Sequence, residues 1–156
     1  MTGGWHNDAL SPYPFSRPVV RYLVREYVLR GVAATGWGEA TRFTELAWVW
    51  EQFATKLNLA AAPGTFNVRL HNAESLARWQ ELQAEPGIPI VPPDATFCPA
   101  RCYPVLVNDR VPGAIVVPEV DGYPPDQIEV VAAQSIRSAM HVQDGEPVIL
   151  RAVVEA

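Results

Sequence analysis

The sequence has few of the residues on which many binding sites depend. Its 156 residues include one lysine (Lys56), two cysteines and three histidines, and its net charge is −5. A protein that binds the phosphate backbone of nucleic acid needs a basic surface, so this composition argues against a nucleic-acid partner. A small triphosphate stays compatible with it, because backbone N–H groups can hold phosphate without lysine.

The cysteines and histidines are not arranged as in a zinc site or a catalytic triad. Cys98 and Cys102 stand close together in "CPARC" with no histidine near them in the sequence, whereas a structural zinc site needs about four ligands. His6, His71 and His141 are isolated from one another. We therefore expect two reduced thiols, and we expect the histidines to form neither a catalytic triad nor a metal cluster.

Long hydrophobic runs are also lacking. No stretch approaches the ~20 apolar residues of a membrane-spanning helix, and residues 1–17 contain no apolar run that could act as a signal sequence. The sequence thus predicts a cytoplasmic protein with no membrane partner. With 49% hydrophobic and 19% charged residues, it is typical of a globular protein of one domain. We assign residues 1–20 to an N-terminal tail or strap and residues 21–156 to that domain.

The rest of the sequence predicts strands and two amphipathic helices. Runs rich in β-branched residues predict strands at "EYVLRGVAAT", "CYPVLVN", "GAIVVP", "QIEVVA" and "PVILRAVV". Helical spacing of apolar residues predicts helices in "AWVWEQFATKLN" and "AESLARWQELQAE". Short, closely spaced strands with two or three short helices favour an α+β or mainly β domain built on a closed or nearly closed barrel.

A glycine-containing segment, "ATGWGEATRF", follows the first predicted strand. Gly36 and Gly38 would let the backbone approach a phosphate and turn its N–H groups inward, as in a nest. A plain turn has the same pattern, and the segment lacks both the Gly-Lys-Ser/Thr of a P-loop and the third glycine of a dinucleotide-binding fingerprint. From these residues alone, a nest and a simple turn are both open.

A hydroxyl and a carboxamide stand two positions apart in "PGTFNVRL", where a Pro-Gly turn leads into a strand. In an extended chain Thr65 and Asn67 share one face, whereas Phe66 and Val68 point to the other. The two polar side chains could close the turn by hydrogen bonds to nearby backbone. They could instead be ligands of Mg²⁺, which takes one or two protein oxygens and completes its shell with water and phosphate oxygens.

Three segments, "GWGEATRF", "PGTFNVRL" and "IEVVAAQSIRSAMHVQDGEPV", resemble the archaeal CTP-dependent riboflavin kinase family. In that family a Gly-x-Gly-Glu-Gly loop, a Gly-Thr-Leu-Asn turn and a Leu-Glu to Leu-Arg segment closed by Asp-Gly-Asp occur in this order. The resemblance covers residues 29–150 and implies a six-stranded cradle-loop β-barrel. It also implies transfer of the γ-phosphoryl group of CTP to riboflavin, or to a related polyol-bearing acceptor, with Mg²⁺ as cofactor and FMN and CDP as products.

The resemblance assigns roles to particular residues. The Mg²⁺ ligands fall on Thr65 and Asn67, and a flavin-contacting carboxylate falls on Glu129, which is also our candidate for the catalytic residue. Because Ile128 and Val130 would share the opposite face, we expect Glu129 to point into the barrel mouth and to orient or deprotonate the attacking hydroxyl. An exposed strand glutamate is the alternative. The nucleotide-binding residues fall on two stretches, Gly36, Trp37, Gly38, Glu39, Ala40 and Thr41, then Gln134, Ser135, Ile136 and Arg137.

The sequence departs from the family pattern mainly on the flavin side. Asp121 stands where the family has a threonine that contacts the flavin, so Asp121 is also a predicted flavin-binding residue. "ATFCPAR" replaces an Arg-Thr-Phe-Gly-Gly element, and Ala40 replaces a glycine. The leading hypothesis is a CTP-dependent riboflavin kinase-like phosphotransferase. A non-catalytic nucleotide- or flavin-binding module on the same barrel is the alternative, and a dimeric DNA-binding regulator, suggested by "QDGEPVIL", is disfavoured by the negative charge.

Overall fold

A computed structural model gives the structure of the chain and describes residues 24–36 and 43–155. The strands are β1 Val24–Ala34, β2 Phe66–Leu70, β3 Ile88–Ile90, β4 Ala100–Val107, β5 Val111–Pro118, β6 Gln127–Ala132 and β7 Pro147–Glu155. The helices are α1 Ala47–Leu57, α2 Ala73–Gln83 and α3 Ile136–Met140. All the strands and both helices that the sequence predicts are confirmed, and β3 is an additional strand.

Six of the strands close into an antiparallel barrel. Their order is β4, β5, β6, β2, β1 and β7, and β7 pairs back onto β4 from Val105↔Ala152 to Val107↔Leu150. The short β3 pairs with the start of β4 outside this ring. Closure gives each of the six strands two neighbours and removes free sheet edges. The predicted fold class, a mainly β six-stranded barrel with short helices, is confirmed.

The barrel separates two hydrophobic clusters. The inner cluster takes alternate residues from all six barrel strands, among them Leu29, Val68, Ile115, Ile128 and Leu150, each at most 1% exposed. The outer cluster is formed where α1 packs against residues of β3, β4, β5 and β6 on the outside of the barrel. Since successive strand residues point to opposite faces, a residue next to an inner one lies on the outer side.

One asparagine ends α1, and another begins α2. Asn58 ends α1 in the left-handed conformation, with φ of 51°, and its N–H bonds to the carbonyl of Phe53. Asn72 begins α2 because its side chain accepts a hydrogen bond from the Ser75 N–H at 2.7 Å. Of the helices in the described ranges, none has the length and apolar character needed to cross a membrane.

Candidate active site

Thr65 and Asn67 lie side by side on the outer face of the barrel. Phe66 and Val68 are buried in the inner cluster, as strand alternation predicts. Asn67 is paired in register with Glu129 on the neighbouring strand β6. The Pro-Gly turn and the first residues of β2 therefore bring a hydroxyl and a carboxamide next to a carboxylate that is distant in sequence.

Glu129 is a buried carboxylate held by two hydroxyl groups. It is 6% exposed, which excludes an exposed strand glutamate. Thr65 Oγ1 donates a hydrogen bond to Oε1 at 2.8 Å, and the phenol of Tyr123 donates to Oε2. Ile128 and Val130 belong to the inner cluster, so the opposite face predicted for them is confirmed. Their apolar side chains fill the barrel interior, so Glu129 faces the outer side of the sheet, and the expectation that it points into the barrel mouth is wrong.

A polar cavity lies beside Asn67 at the end of β1. It is lined by Ala34, Thr35, Gly36, Thr65, Asn67, Arg137 and Asp144. Asn67 is 7% exposed, and its Oδ1 accepts a hydrogen bond from Gln127 Nε2 at 2.8 Å. A Cβ added to Gly36 would lie only 2.2 Å from Asn67 Nδ2. Glycine at position 36 is therefore what allows the carboxamide to keep its place against the backbone.

Arg137 brings a positive charge to this cavity and is fixed by three contacts. Its Nη2 donates to the carbonyl oxygen of Ala34 at 2.9 Å and to the carboxylate of Asp144, and its guanidinium lies 5.7 Å from the centre of the Phe66 ring. The hydroxyl of Thr35 donates to Asp144 at 2.5 Å. This hydrogen bond, together with that of Arg137, lowers the pKa of Asp144 below its ordinary value. The ionised carboxylate thus ties Arg137 to the end of β1.

A second cavity brings the Pro-Gly turn before β2 next to the start of α3. It is lined by Ala62, Pro63, Gly64, Thr65, Phe66, Val130, Ala132, Gln134, Ser135, Ile136 and Arg137. Ser135 is the N-cap of α3, Ile136 anchors this helix in the inner cluster, and Gln134 is exposed. Thr65 and Arg137 line both this cavity and the polar one. The structure therefore brings the predicted metal ligands next to the second predicted nucleotide stretch.

An aromatic cavity lies on the other side of Glu129. It is lined by Phe43, Trp48, Phe97, Cys98, Val116, Pro118, Val120, Tyr123 and Glu129. Trp48 meets the Phe43 ring edge-on at 5.8 Å and the tilted Phe97 ring at 5.5 Å. The indole Nε1 of Trp48 is buried and has no hydrogen-bond partner within the described part of the chain. Such a cavity suits a flat ring that carries a few polar atoms.

Sequence reasoning missed the aromatic residues of this cavity. Phe43, Trp48 and Phe97 belong to two distant segments, and the only signal was the aromatic density around α1 and in "ATFCPAR". Asp121 is exposed and does not line the cavity, although Val120 and Tyr123 do. A role for Asp121 in flavin binding stays a prediction.

Part of the predicted site lies outside the described residues. Apart from Gly36, the first predicted nucleotide stretch consists of Trp37, Gly38, Glu39, Ala40 and Thr41, which the structure does not describe. The predicted tail, residues 1–20, is outside the described ranges as well. The phosphate-nest interpretation of the loop therefore stays a prediction.

The two cysteines are free thiols in different surroundings. Cys98 is exposed, whereas Cys102 is buried in β4, where burial raises its pKa to about 12. Among residues 24–36 and 43–155, no group of three or more His, Cys, Asp or Glu residues is placed to hold a metal ion.

Known proteins resemble this chain over most of its length. A family model described as "Domain of unknown function DUF120", with the short name CTP-dep_RFKase, matches residues 33–152. The riboflavin kinases of Methanosarcina barkeri and Methanosarcina acetivorans are 34% and 33% identical to the chain over 126 residues, which is 79% of the chain and 55% and 52% of theirs. The riboflavin kinase of Methanocella arvoryzae is 35% identical over 129 residues, 78% of the chain and 55% of that protein. The chain spans about half the length of the curated relatives it matches.

Proposed function

The chain belongs to the CTP-dependent riboflavin kinase family, whose model covers residues 33–152, and we propose that it transfers the γ-phosphoryl group of CTP to the 5′-hydroxyl of riboflavin. FMN and CDP are the products, and Mg²⁺ is the metal. The observation that carries this proposal is the 2.8 Å hydrogen bond between Thr65 and Glu129. It joins a polar cavity that suits phosphates to an aromatic cavity that suits a flavin.

The residues on the polar side fit a hard cation. Thr65 directs its hydroxyl proton to Glu129, which leaves lone pairs of Oγ1 for a cation, and Asn67 Oδ1 has a lone pair besides the one that accepts from Gln127. Gly36 leaves the space in which the Asn67 carboxamide lies. Mg²⁺ accepts such neutral oxygens and takes its other ligands from water and phosphate, and when bound it supplies neutralisation of phosphate charge.

Arg137 is the residue that this proposal places against the phosphates. It lines the polar cavity and the cavity next to α3, and its anchoring by Asp144 and the Ala34 carbonyl holds the guanidinium in one position. Phosphoryl transfer depends mainly on positioning and on stabilising charge on the transferred group. A fixed guanidinium beside Thr65 meets both requirements without a lysine.

The aromatic cavity receives the isoalloxazine ring in this proposal. The rings of Phe43, Trp48 and Phe97 offer stacking surface, and the buried indole N–H of Trp48 is a donor that a flavin carbonyl oxygen would satisfy. The ribityl chain then extends towards Glu129, which lines the same cavity. The 5′-hydroxyl then lies at Glu129, which lines the aromatic cavity and also accepts the hydrogen bond from Thr65.

Glu129 acts as the acceptor of the hydroxyl proton. As the 5′-oxygen forms its bond to the γ-phosphorus, the bond from that phosphorus to the β–γ bridging oxygen breaks, and CDP leaves with the electron pair. The proton of the 5′-hydroxyl passes to the Glu129 carboxylate, which its two hydroxyl donors hold in a fixed orientation.

A comparison of Glu129→Gln with the parent tests the proposal. Gln keeps the size of the side chain but removes its basicity, so FMN formation should fall by about a hundredfold or more, while riboflavin and CTP still bind. Glu81→Gln, at an exposed glutamate of α2 that pairs with Arg78, is the matched control and should leave activity unchanged. A parent that binds both ligands and forms no FMN would instead support the non-catalytic module.

A further inference from the structure

Tyr123 has no role in the site predicted from the sequence, yet it contacts the central carboxylate. Its phenol donates a hydrogen bond to Glu129 Oε2, and its ring lines the aromatic cavity. We infer that Tyr123 is a positioning residue, which holds the Glu129 carboxylate in the orientation that receives the acceptor hydroxyl. This inference rests on the proposed function.

Glu129 needs hydrogen-bond donors on its carboxylate because the carboxylate could otherwise rotate about the last side-chain torsion. The backbone of Glu129 is fixed by pairing with Asn67 of β2 and Val116 of β5. The last side-chain torsion of a glutamate is broad, however, and has no steep minimum. Thr65 fixes Oε1 from the polar side, and Tyr123 fixes Oε2 from the cavity side. Two donors on two different oxygens define the plane of the carboxylate.

This arrangement leaves room for the substrate. An ionised carboxylate has about four lone-pair sites, and the two hydroxyl donors use two of them. The remaining sites of Glu129 can accept the 5′-hydroxyl, since Glu129 lines the aromatic cavity together with Tyr123. Tyr123 is half-buried in the segment before β6 and belongs to neither hydrophobic cluster, so loss of its phenol oxygen does not open the core.

Tyr27 offers a matched control for the chemistry of this bond. Its phenol donates to Glu85 Oε2 at 2.7 Å, and Arg25 pairs with the same carboxylate. Neither Tyr27 nor Glu85 lines any of the three cavities of the candidate site. Tyr27→Phe therefore removes a hydrogen bond of the same kind from a place where it can affect only stability.

The test measures kcat, the KM values for CTP and riboflavin, and Tm in the parent, Tyr123→Phe and Tyr27→Phe. For Tyr123→Phe we expect kcat to fall about tenfold or more, the effect of one hydrogen bond to a charged group, with the KM for CTP nearly unchanged and Tm lowered no more than in Tyr27→Phe, which loses a hydrogen bond of the same kind. Tyr27→Phe should lower Tm and leave kcat unchanged. Because Tyr123 acts through Glu129, Tyr123→Phe should cause little further loss in a Glu129→Gln background.

The outcomes separate this inference from the proposed function. A parent that forms no FMN overturns the proposed function, and the role of Tyr123 with it. A parent that forms FMN while Tyr123→Phe keeps its kcat overturns only the role of Tyr123. If Tyr123→Phe lowers kcat by the same factor in the parent and in Glu129→Gln, the role of Tyr123 is also overturned, since the phenol would then act independently of the carboxylate.

Discussion

Replacing Gly36 with alanine should weaken metal-dependent nucleotide binding through Asn67. The new Cβ would lie 2.2 Å from Asn67 Nδ2 and 2.6 Å from Oδ1, whereas non-bonded heavy atoms prefer at least about 3.5 Å. The carboxamide must therefore move by about 1.3 Å. Gly36 does not have a positive φ, so its own backbone conformation accepts alanine. The strain falls on the side chain of Asn67.

The size of the effect follows from the two interactions of the Asn67 carboxamide, its hydrogen bond with Gln127 and its proposed coordination of Mg²⁺. Its displacement breaks the 2.8 Å hydrogen bond with Gln127, a loss of about 0.5–1.5 kcal/mol in the free energy of unfolding. Mg²⁺ requires its ligands at about 2.0–2.1 Å in near-octahedral geometry, so a shift of about 1 Å removes Asn67 from coordination. We expect the affinity for CTP in the presence of Mg²⁺ to fall at least about tenfold, about 1.4 kcal/mol.

Calorimetric titration of CTP at saturating Mg²⁺ measures this loss. Gly122→Ala is the matched control, because an added Cβ there meets nothing within 4 Å while φ of 80° makes alanine unfavourable. It should lower Tm without changing the affinity for CTP. If Gly36→Ala folds and binds CTP as tightly as the parent, the inferred link from Gly36 through Asn67 to the metal is refuted.

The remaining predictions concern the metal ligand, the exposed thiol and one buried carboxylate outside the site. Thr65→Val removes the hydroxyl at nearly constant shape and should reduce both CTP affinity and FMN formation. Thr65→Ser keeps the hydroxyl and should retain both. Unaltered CTP binding by Thr65→Val would mean that the Pro-Gly segment is a plain turn. Riboflavin should slow alkylation of Cys98, which lines the aromatic cavity, whereas the buried Cys102 should not react with or without riboflavin. Mass spectrometry after iodoacetamide treatment measures both reactions. Equal rates for Cys98 with and without riboflavin would place the flavin elsewhere. The hydrogen bond from Arg25 lowers the pKa of Glu85 from 4.5 to about 2, so this carboxylate stabilises the fold above pH 4.5 and loses that contribution as the pH falls towards 2. Urea unfolding over this range should show a weaker pH dependence in Glu85→Gln, and an identical dependence would contradict the assignment.

Local sequence rules predicted the elements of the barrel well. "QIEVVA" coincides with β6, and α1 lies within the predicted helical segment "AWVWEQFATKLN". The strand β3 was missed because it has only three residues, one of them Pro89, and forms by pairing with β4. Its existence depends on a partner distant in the sequence, which no local pattern encodes.

The residues of the candidate site were likewise predictable only where the local sequence determines their position. That Thr65 and Asn67 share a face follows from strand alternation and needs no tertiary structure. The contact of Thr65 with Glu129 joins residues 64 positions apart, and it depends on the order in which β2 and β6 pair. The outer-face position of Glu129 likewise depends on which face of the sheet closes inwards. The cytoplasmic location and the N-terminal tail are predictions of the sequence alone.

Incubation of the pure protein with riboflavin, Mg²⁺ and each of CTP, ATP, GTP and UTP tests the central claim most directly. Chromatography separates FMN from riboflavin and CDP from CTP, so both products of one transfer are counted in the same sample. With CTP we expect FMN and CDP in equal amounts, and with the other three nucleotides we expect less FMN. Absence of FMN with every nucleotide, from protein that still binds CTP and riboflavin, would contradict it.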